Sequence, residues 1–512
     1  MATPQEKLAD ALEALRALQS GGVTAIRASQ LRSAQLRLLL AQGFLRRVMR
    51  GWYIASRPEA HIGREDWHTA FWPFCIDYLN ARFGERWSLS PEQSLSLHAG
   101  NASVPAQLLV RASKGRNKPT PLAQGASIME LRTELTPSEH TELDTGLRVY
   151  SLPAALLAVP PPFYKRNPTD ARIALSQVRD AADILAPLLD AGRSKVAGRL
   201  AGAFRNIGQH EMAERILANM RAAGYQVSPL DPFEQPAPVA LRLREPSPYC
   251  NRLRLMWQQM RQTVIDRFPM PSGRPFDPDA FLARMDELYT EDAYHSLSIE
   301  AYRVNNALIE RVRSGGWNPD GVASDRDARD ALAARGYWQA FQAMKRSVAQ
   351  VLPGASSGQG LAAGKTAESD HHEWHRELFA PAVVAGILTP VDLAGYRNDQ
   401  VYLRGSLHTP PNKEAVRDCM PVFFELLKAE PSAAVRAVLG HFLFVYIHPY
   451  MDGNGRLARL LMNLMLASGG YAWLVVPVQQ RSEYMNALEA ASVGGDIGPF
   501  AAFLGDLARQ AE

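Results

Sequence analysis

The spacing of hydrophobic positions predicts a mainly α-helical C-terminal half. Apolar side chains recur at helical spacing in four segments, residues 252–268, 278–289, 300–313 and 326–351. A fifth run, residues 433–447, is apolar with almost no charge, and residues 460–466 resume the pattern after a polar interruption. The chain therefore predicts a buried helix that breaks at a polar turn, followed by a second helix.

The N-terminal third has shorter and more varied patterns. Residues 8–18 predict an amphipathic helix, and residues 28–31 and 33–41 predict two short helical runs joined by a tight turn. Residues 44–54 predict a β-ribbon that turns at Gly51. This order of elements is typical of a winged helix–turn–helix.

The remaining N-terminal sequence predicts a mixed α/β region and then a break. Strands are expected around residues 87–110 and helices over residues 170–223. Residues 229–248 contain six prolines, a density that opposes helix and sheet, so we expect a semi-rigid linker. The expected domains are 1–60 (winged helix–turn–helix), 61–228 (mixed α/β), 229–248 (linker) and 249–512 (helical).

Composition places the chain among ordinary globular proteins. It has 512 residues, 46% hydrophobic and 21% charged, with a net charge of +4. These values are ordinary, and the overall charge does not indicate binding to nucleic acid or to a membrane. No run approaches the roughly 20 apolar residues that span a bilayer, and the start does not read as a signal peptide. Three scattered cysteines fit reduced thiols. We expect a cytoplasmic protein without membrane association.

Positive charge is concentrated near the N-terminus. From Arg16 to Arg57 there are eight arginines and no acidic residue. DNA binding through phosphate contacts is the favoured interpretation, and a solvated basic surface is the alternative. The candidate contacts on the second predicted helix and the ribbon are Arg32, Arg37, Arg46, Arg47 and Arg50.

The polar turn at residues 448–459 carries the densest set of reactive groups. Gly453 and Gly455 can adopt positive φ and let the backbone approach a ligand. The free N–H groups of the helix that follows form an anion site. The side chains of this turn add a proton acceptor, a hard oxygen ligand for Mg²⁺ and two bidentate phosphate donors. These are His448, Asp452, Arg456 and Arg459.

This turn resembles the Fic signature, His-x-Phe-x-Asp/Glu-Gly-Asn-Gly-Arg-x-x-Arg, and departs from it only at Tyr450, where Phe is usual. The resemblance implies an all-helical Fic domain that transfers AMP from ATP to a Ser, Thr or Tyr hydroxyl of a target protein. It implies that His448 is the base and that Asp452 holds Mg²⁺. The implied nucleotide-binding residues are Gly453, Asn454, Gly455, Arg456 and Arg459.

A second segment resembles the inhibitory motif of the same family. It runs from Ser296 to Glu300, and Ala301 stands where Gly or Asn is usual. The resemblance implies that Glu300 pairs with Arg459 and occupies the place of the γ-phosphate. The alternative is that Glu300 is an ordinary helix glutamate.

Residues 396–406 predict a β-hairpin. By resemblance this is the Fic flap, which holds the target by strand addition; a mere connector is the alternative. The flap residues would be Val401, Tyr402, Leu403 and Arg404. The resemblance also places Arg481 and Tyr484 near the nucleobase, although packing explains them equally well.

Two further segments resemble motifs but miss their spacing. Residues 358–366 lack the first glycine of a phosphate loop, because Gln359 stands there, so we expect a flexible loop. His371, His372 and His375 miss the zinc spacing, so we expect surface histidines on a helix.

Residues 31–53 resemble the N-terminal domain of AbiEi-type antitoxins, which implies transcriptional autoregulation through DNA. The combined prediction is an autoinhibited protein adenylyltransferase with a DNA-binding N-terminus, as in a toxin–antitoxin fusion. The alternative is a DNA-binding autoregulator whose Fic half senses nucleotide or uses another nucleotide. Self-modification and a homo-oligomeric state are compatible with both.

Overall fold

The computed structural model describes residues 3–20, 23–56, 58, 65–190, 192–238, 241, 245–271, 276–315, 329–353, 359–403 and 405–511. The chain is mainly α-helical, as the sequence predicts. It divides into two compact units. The first unit comprises residues 1–248 and 402–409, and the second comprises residues 249–401 and 410–512.

The described part of the first unit combines helices with three small sheets. Its helices are α1 (Pro4–Ser20), α2 (Ser33–Ala41), α3 (Glu65–Phe83), α4 (Pro91–His98), α5 (Leu152–Ala158), α6 (Pro162–Arg166), α7 (Pro168–Ser176), α8 (Ala182–Asp190), α9 (Ser194–Asn206) and α10 (His210–Ala222). Its strands are β1 (Ile26–Arg27), β2 (Leu45–Met49), β3 (Trp52–Ala55), β4 (Trp87–Leu89), β5 (Gln107–Ala112), β6 (Pro119–Pro121), β7 (Ser127–Arg132), β8 (His140–Glu142) and β9 (Arg148–Tyr150).

The sheets are small and mostly antiparallel. The first has the order β1-β3-β2, with Arg46 opposite Ile54 in the ribbon. The second has the order β4-β5-β7-β6, in which β5 and β7 run parallel with Leu108 opposite Ile128. Strands β8 and β9 form a separate antiparallel pair.

The elements of residues 3–56 lie where the hydrophobic pattern predicts them. Helices α1 and α2 pack through buried Leu15 and Leu39, and β2 and β3 form the expected ribbon. The ribbon side chains Val48 and Ile54 enter the same hydrophobic core as Trp67 of α3. The segments predicted as separate domains, 1–60 and 61–228, therefore share a core. The winged-helix assignment itself stays a prediction.

The start of the proline-rich segment is not a free linker. The Leu230 N–H donates to the Gly198 carbonyl at 2.9 Å. A Cβ atom at Gly198 or Gly202 of α9 would overlap the backbone of residues 228–231. The prediction of a spacer over residues 229–248 is therefore wrong for its first part, because two helix glycines let the extended chain lie directly on α9.

The second unit contains no strand in its described part. Its helices are α11 (Pro248–Arg267, whose first residue closes the first unit), α12 (Pro278–Ile299), α13 (Asn306–Arg313), α14 (Arg329–Val351), α15 (Gln359–Val384), α16 (Lys413–Ala429), α17 (Ala433–Ile447), α18 (Asn454–Ala467), α19 (Arg481–Gly494) and α20 (Gly498–Ala511).

Helix α17 lies at the centre of this unit. It is apolar around its circumference and buried over nearly its whole length, because other helices cover every face. Helix α18 follows after the predicted polar turn. In the part of the chain that the structure describes, no helix is both long and apolar enough to cross a bilayer.

Three predictions of secondary structure for this unit need correction. The predicted helix 300–313 is broken, because α12 continues to Ile299 and α13 begins at Asn306. The predicted loop 358–366 is helical from Gln359 onward, and Gly364 lets α15 pack closely on Lys428. Residue 358 lies outside the described residues.

The third correction concerns the predicted hairpin at residues 396–406, whose described residues form no β-ladder. The backbone groups find other partners: the Arg397 N–H donates to the Pro449 carbonyl at 2.9 Å, and Ser406 N–H closes a turn on the Leu403 carbonyl. Two following prolines, residues 410 and 411, supply no N–H to a ladder. Residue 404 lies outside the described residues.

Candidate active site

His448 ends helix α17 in a left-handed conformation, with φ 52° and ψ 62°. Its Nδ1 lies 3.3 Å from the Val445 carbonyl. A carbonyl only accepts, so Nδ1 carries the proton and Nε2 keeps a lone pair. Burial lowers the pKa of His448 to about 4. The imidazole is therefore neutral near pH 7, which is the state a general base needs.

The turn after His448 is held by the Asn454 side chain. Its Oδ1 accepts from the Tyr450 N–H at 3.0 Å, and its Nδ2 donates to the Tyr450 carbonyl at 2.8 Å. Gly453 precedes α18 with φ 85°, a conformation that favours glycine. The Asn454 side chain therefore folds the turn, and the nucleotide-binding role expected of the backbone at residues 453–455 stays a prediction.

Arg459 of α18 is buried and bonded to the end of α12. Its Nη2 donates to Glu300 Oε1 at 2.9 Å and to the Ser296 carbonyl at 3.0 Å, and its Nε donates to Ser296 Oγ at 3.0 Å. Burial works to lower the pKa of Arg459, but the charge of Glu300 and its hydrogen bond outweigh burial and raise that pKa. The structure thus contains the contact between Glu300 and Arg459 that the resemblance implies, and it adds Ser296 to that contact.

Gly455 explains how the Glu300 carboxylate fits there. A Cβ atom at position 455 would overlap Glu300 Oε1. The carboxylate therefore lies against the first turn of α18, where free N–H groups and the helix dipole favour an anion. The predicted anion site is filled by a group of the same chain.

The end of α12 forms a Schellman motif. Glu300 is the C-cap, the Ala301 N–H donates to the Ser298 carbonyl at 3.0 Å, and the Tyr302 N–H donates to the Leu297 carbonyl at 3.1 Å. Ala301 has φ 63°, a left-handed conformation that glycine adopts without cost and asparagine at little cost. This geometry explains why Gly or Asn is usual at that position of the inhibitory motif.

Arg456 is 1% exposed and lies between two aromatic rings, 5.3 Å from the Tyr302 centroid and 5.1 Å from the Phe379 centroid. Its Nη2 lies 3.5 Å from Asp452 Oδ1. In the described part of the chain, Arg456 Nε and Nη2 and Arg459 Nη1 have no hydrogen-bond acceptor. Buried cationic donors without acceptors suit a polyanionic ligand.

Asp452 is suited to hold a hard cation beside these arginines. Its side chain is 65% exposed, and Oδ1 accepts from the Gly453 N–H at 2.6 Å. A fixed, accessible carboxylate oxygen is the ligand type that Mg²⁺ prefers. The residues present therefore fit Mg²⁺ carried by a polyphosphate.

Tyr450, where the signature has Phe, packs in a cluster of aromatic side chains. Its ring stacks on His375 at 3.8 Å between centroids, and its hydroxyl lies 2.8 Å from His372 Nδ1. Nearby, His371 Nε2 lies 2.9 Å from the Tyr396 hydroxyl. The sequence shows the histidines of α15 and Tyr450 separately, but it does not show that these side chains are in contact.

The three histidines are consequently not the surface residues that the sequence predicts. His371 and His375 are buried and His372 is half-buried. Burial lowers the pKa of His371 to about 3 and that of His375 to about 4, so both are neutral at physiological pH. Their role is packing against the signature turn.

The two residues expected near the nucleobase have other contacts. Tyr484 is 1% exposed, and its hydroxyl lies 2.8 Å from Nε2 of buried His441. Core packing encloses the ring, which favours the packing alternative, and its assignment to the nucleobase stays a prediction. Arg481 Nε donates to the Ile299 carbonyl at 2.8 Å, so it holds the last turn of α12.

The remaining predicted binding residues are divided between the two units. Val401 belongs to the second unit, whereas Tyr402 (38% exposed) and Leu403 belong to the first. Arg404 lies outside the described residues. In the first unit, Arg46 is half-buried and the other arginines of the basic segment proposed for DNA are exposed, namely Arg32, Arg37, Arg47 and Arg50.

Sequence reasoning missed a buried pair behind Arg459. Tyr337 of α14 donates its hydroxyl to Asp292 Oδ2 at 2.9 Å. Burial raises the pKa of Asp292 to about 6. Asp292 precedes Ser296 by one helical turn, a spacing that could have signalled a shared face.

Comparison with known proteins agrees with the signature. Residues 366–466 match the model of the Fic/DOC family, so the second unit contains a Fic/DOC domain. The chain is 33% identical over 224 residues to the protein adenylyltransferase Fic of Drosophila virilis, covering 43% of this chain and 41% of that protein. The Drosophila willistoni protein of the same name is 32% identical over 224 residues, covering 43% and 40%. The chain thus spans about two-fifths of the length of these curated relatives.

Solved structures with this domain also align. Fic-1 from C. elegans covers 70% of this chain and 88% of its own, at 19% identity and a TM-score of 0.36. A Fic domain containing signaling protein from Bacteroides thetaiotaomicron covers 51% of this chain and 93% of its own, at 18% identity and a TM-score of 0.34.

Proposed function

We propose that this protein transfers AMP from ATP to a Ser, Thr or Tyr hydroxyl of a target protein. The observation that carries the proposal is the carboxylate of Glu300 lying against the first turn of α18 and bonded to Arg459. An anion is therefore stable in the place where the resemblance to the Fic signature implies nucleotide phosphate. The neutral His448 stands at the other end of the same turn.

The proposed reaction uses His448 as the base. Its Nε2 takes the proton of the target hydroxyl while that oxygen forms a bond to the α-phosphorus of ATP. The bond from the α-phosphorus to the bridging oxygen breaks, and pyrophosphate leaves. Arg456 and Arg459 stabilise the charge that develops on the phosphate oxygens, so catalysis rests on positioning and electrostatics.

Asp452 is the residue that would hold Mg²⁺, which neutralises phosphate charge when bound. The N–H groups at the start of α18, including that of Gly455, would contact the same phosphates. The chain itself thus supplies a base at one end of the turn and positive charge at the other.

We further propose that Glu300 inhibits this reaction. Its carboxylate takes the Arg459 Nη2 donor that the γ-phosphate needs, and adds a like charge beside that phosphate. ATP that binds against this carboxylate has its α-phosphorus out of line with the attacking hydroxyl. The end of α12 is also held by the bond between Ser296 and Arg459 and by the bond from Arg481 to Ile299. Several contacts therefore stabilise the inhibited state.

The test compares the wild type with Glu300→Gly. Each protein is incubated with a cell lysate and ATP labelled at either the α- or the γ-phosphate. We expect strong α-label transfer with Glu300→Gly and weak transfer with the wild type. The double variant Glu300→Gly with His448→Ala is the control, and it should bind ATP but label nothing.

Each outcome bears on a separate part of the proposal. Transfer of γ-label instead of α-label would replace nucleotidyl transfer by phosphorylation. Equal labelling by the wild type and Glu300→Gly would remove inhibition by Glu300. Retained labelling in the double variant would remove His448 from the base role. Repeating the α-label experiment with other nucleotides and reading the mass added determines which nucleotide is used.

A second proposed function is DNA binding by the N-terminal unit. It is supported by exposed arginines on α2 and the ribbon, Arg37 and Arg47 among them, in a segment without acidic residues. Fluorescence anisotropy with DNA from the protein's own upstream region tests it. Arg37→Ala with Arg47→Ala should weaken binding, whereas the control Arg205→Ala, an exposed arginine paired with Glu214, should not.

A further inference from the structure

Arg397 is a buried cation that the proposed mechanism does not use. It is 2% exposed, and in the part of the chain that the structure describes no carboxylate forms an ion pair with it. Burial lowers its pKa to about 10, so it stays charged at neutral pH. A buried charge without a counter-charge persists only when its donors are hydrogen-bonded, so its contacts decide what it does.

All the donors that Arg397 uses bind backbone carbonyls. Its Nε donates to the His448 carbonyl at 2.8 Å, and its backbone N–H donates to the Pro449 carbonyl at 2.9 Å. Its Nη1 donates to the Asp399 carbonyl at 2.8 Å, and its Nη2 donates to the Pro411 carbonyl. One residue therefore joins the signature turn to both ends of the segment 399–411.

The first two contacts hold the backbone of the proposed base. His448 has a left-handed conformation, which costs an L-residue roughly 1–2 kcal/mol. Arg397 binds the His448 and Pro449 carbonyls, and Asn454 binds the Tyr450 carbonyl. Three successive carbonyls thus have fixed donors, and the direction of the His448 side chain follows from the backbone so held.

The other two contacts hold the segment that resemblance assigns to the flap. Residues 402–409 belong to the first unit, whereas Val401 and Pro410 on either side belong to the second. Asp399 and Pro411 flank this segment, and the Arg397 guanidinium binds the carbonyls of both. The two ends of the segment are therefore fixed to each other and to the turn that carries His448.

We propose that Arg397 is a positioning residue that fixes the imidazole of His448 relative to the base of the segment 399–411. Its planar fork satisfies carbonyls in several directions at once, which a lysine cannot do. The consequence for catalysis rests on the proposed transfer reaction, in which the target hydroxyl and His448 Nε2 must meet within hydrogen-bond reach.

The test follows the His448 imidazole by NMR in protein with ¹⁵N-labelled histidine, with the signal assigned by its loss in His448→Ala. Arg397→Met is compared with Arg436→Met. Arg436 is a matched control, since it is also buried and bound to backbone carbonyls, those of Glu430 and Pro431. None of the hydrogen bonds that the structure describes for Arg436 involves the signature turn.

The expected result separates positioning from stability. In the wild type and Arg436→Met, His448 should titrate well below the ordinary value of about 6.5. In Arg397→Met its pKa should move toward that value, because the released imidazole gains solvent and also loses the nearby charge of Arg397, which lowers the pKa. Arg397→Lys keeps the charge without the fork, so a rise of the His448 pKa in this variant reports the loss of positioning alone, and it also serves if the methionine variant does not fold. Equal titration of His448 in Arg397→Lys and Arg436→Met would overturn the proposal.

A second readout uses activity in the Glu300→Gly background. Arg397→Lys should lower the rate of α-label transfer by at least about tenfold while the calorimetric Kd for ATP changes by less than about twofold. A loss of ATP affinity equal to the loss of rate would contradict positioning. The NMR titration requires no transfer, so it still decides the role of Arg397 if the proposed reaction fails.

Discussion

The arginines of the signature helix and those of the N-terminal basic segment have opposite environments. Arg456 and Arg459 are buried, and their contacts come from other helices and turns: two aromatic rings for Arg456, and Ser296 with Glu300 for Arg459. Arg37 of α2 is exposed, and the bond that the structure describes for its side chain lies within its own helix, to the Ser33 carbonyl.

The difference teaches how each set can recognise an anion. Burying a guanidinium costs several kcal/mol unless its donors are satisfied, so the positions of Arg456 and Arg459 are set by their neighbours and favour one ligand geometry. Exposed arginines remain hydrated and act through their summed field, which depends on salt. The buried arginines of the signature helix, here called the inner arginines, suit a nucleotide in a defined pose. The exposed arginines of the N-terminal basic segment, the outer arginines, suit a DNA backbone.

Removing an inner arginine should have the largest effect. Arg459→Ala leaves Glu300 unpaired, so the free energy of unfolding should fall by about 2–4 kcal/mol. Transfer in the Glu300→Gly background should fall more than about a hundredfold. Urea unfolding and α-label transfer measure the two effects. Arg37→Ala is the control and should change the free energy of unfolding by less than about 0.5 kcal/mol; an equal loss in both variants would remove the distinction between the two sets.

The buried pair behind Arg459 predicts a dependence of stability on pH. The folded state favours protonated Asp292, whose pKa is raised from 3.8 to about 6. Its contribution to the free energy of unfolding is therefore greatest below pH 3.8 and is lost as the pH rises through about 6, by on the order of 3 kcal/mol. Asp292→Asn should lack this contribution. A wild-type minus variant difference that stays flat between pH 4 and 7 would contradict the assignment.

DNA binding by the outer arginines should depend on the salt concentration. Each arginine that neutralises a DNA phosphate adds about 0.9 to the slope of log K against log salt concentration. Arg47→Ala should lower that slope by about 1 and weaken all DNA sequences alike. Anisotropy titrations at several salt concentrations measure the slope. An unchanged slope would place Arg47 outside the DNA contact.

The smallest predicted effect lies at the end of α12. Ala301→Gly removes the cost of a left-handed alanine but makes the unfolded chain more flexible, so the net gain in the free energy of unfolding should be about 0.5–1 kcal/mol. A more stable helix end should also hold Glu300 on Arg459 more firmly and lower basal labelling. Urea unfolding and α-label transfer of the variant test this, with Ala307→Gly on α13 as a destabilising control. A loss of stability at position 301 would contradict the strain argument.

Local patterns were sufficient for much of the fold. Apolar spacing located α14, α17 and α18, and a run of short signals located α1, α2 and the ribbon. The hairpin at residues 396–406 was wrong because its partners are not local: Arg397 bonds to a turn some fifty residues away. The alternation of side chains records burial and does not say which backbone groups will pair.

The sequence predicted those residues of the candidate site that lie in one continuous segment. The turn 448–459 contains the base, the carboxylate and both arginines, and the contact between Glu300 and Arg459 was inferred from the resemblance to the inhibitory motif. The histidines of α15 were misassigned because burial depends on which helices meet, and that information is spread over the whole unit. Asp292 and Arg397 were missed for the same reason, since their partners come from distant parts of the chain.

The absent side chain of Gly455 has a consequence for how the proposed enzyme would respond to its surroundings. The space beside the first turn of α18 admits either the Glu300 carboxylate or a phosphate group, and Glu300 is attached to the same chain. Its effective concentration at Arg459 is therefore set by the fold and does not fall when the protein is diluted. Under the proposed function, basal activity per molecule would be the same at low and high expression, and only an event that moves the end of α12 would raise it.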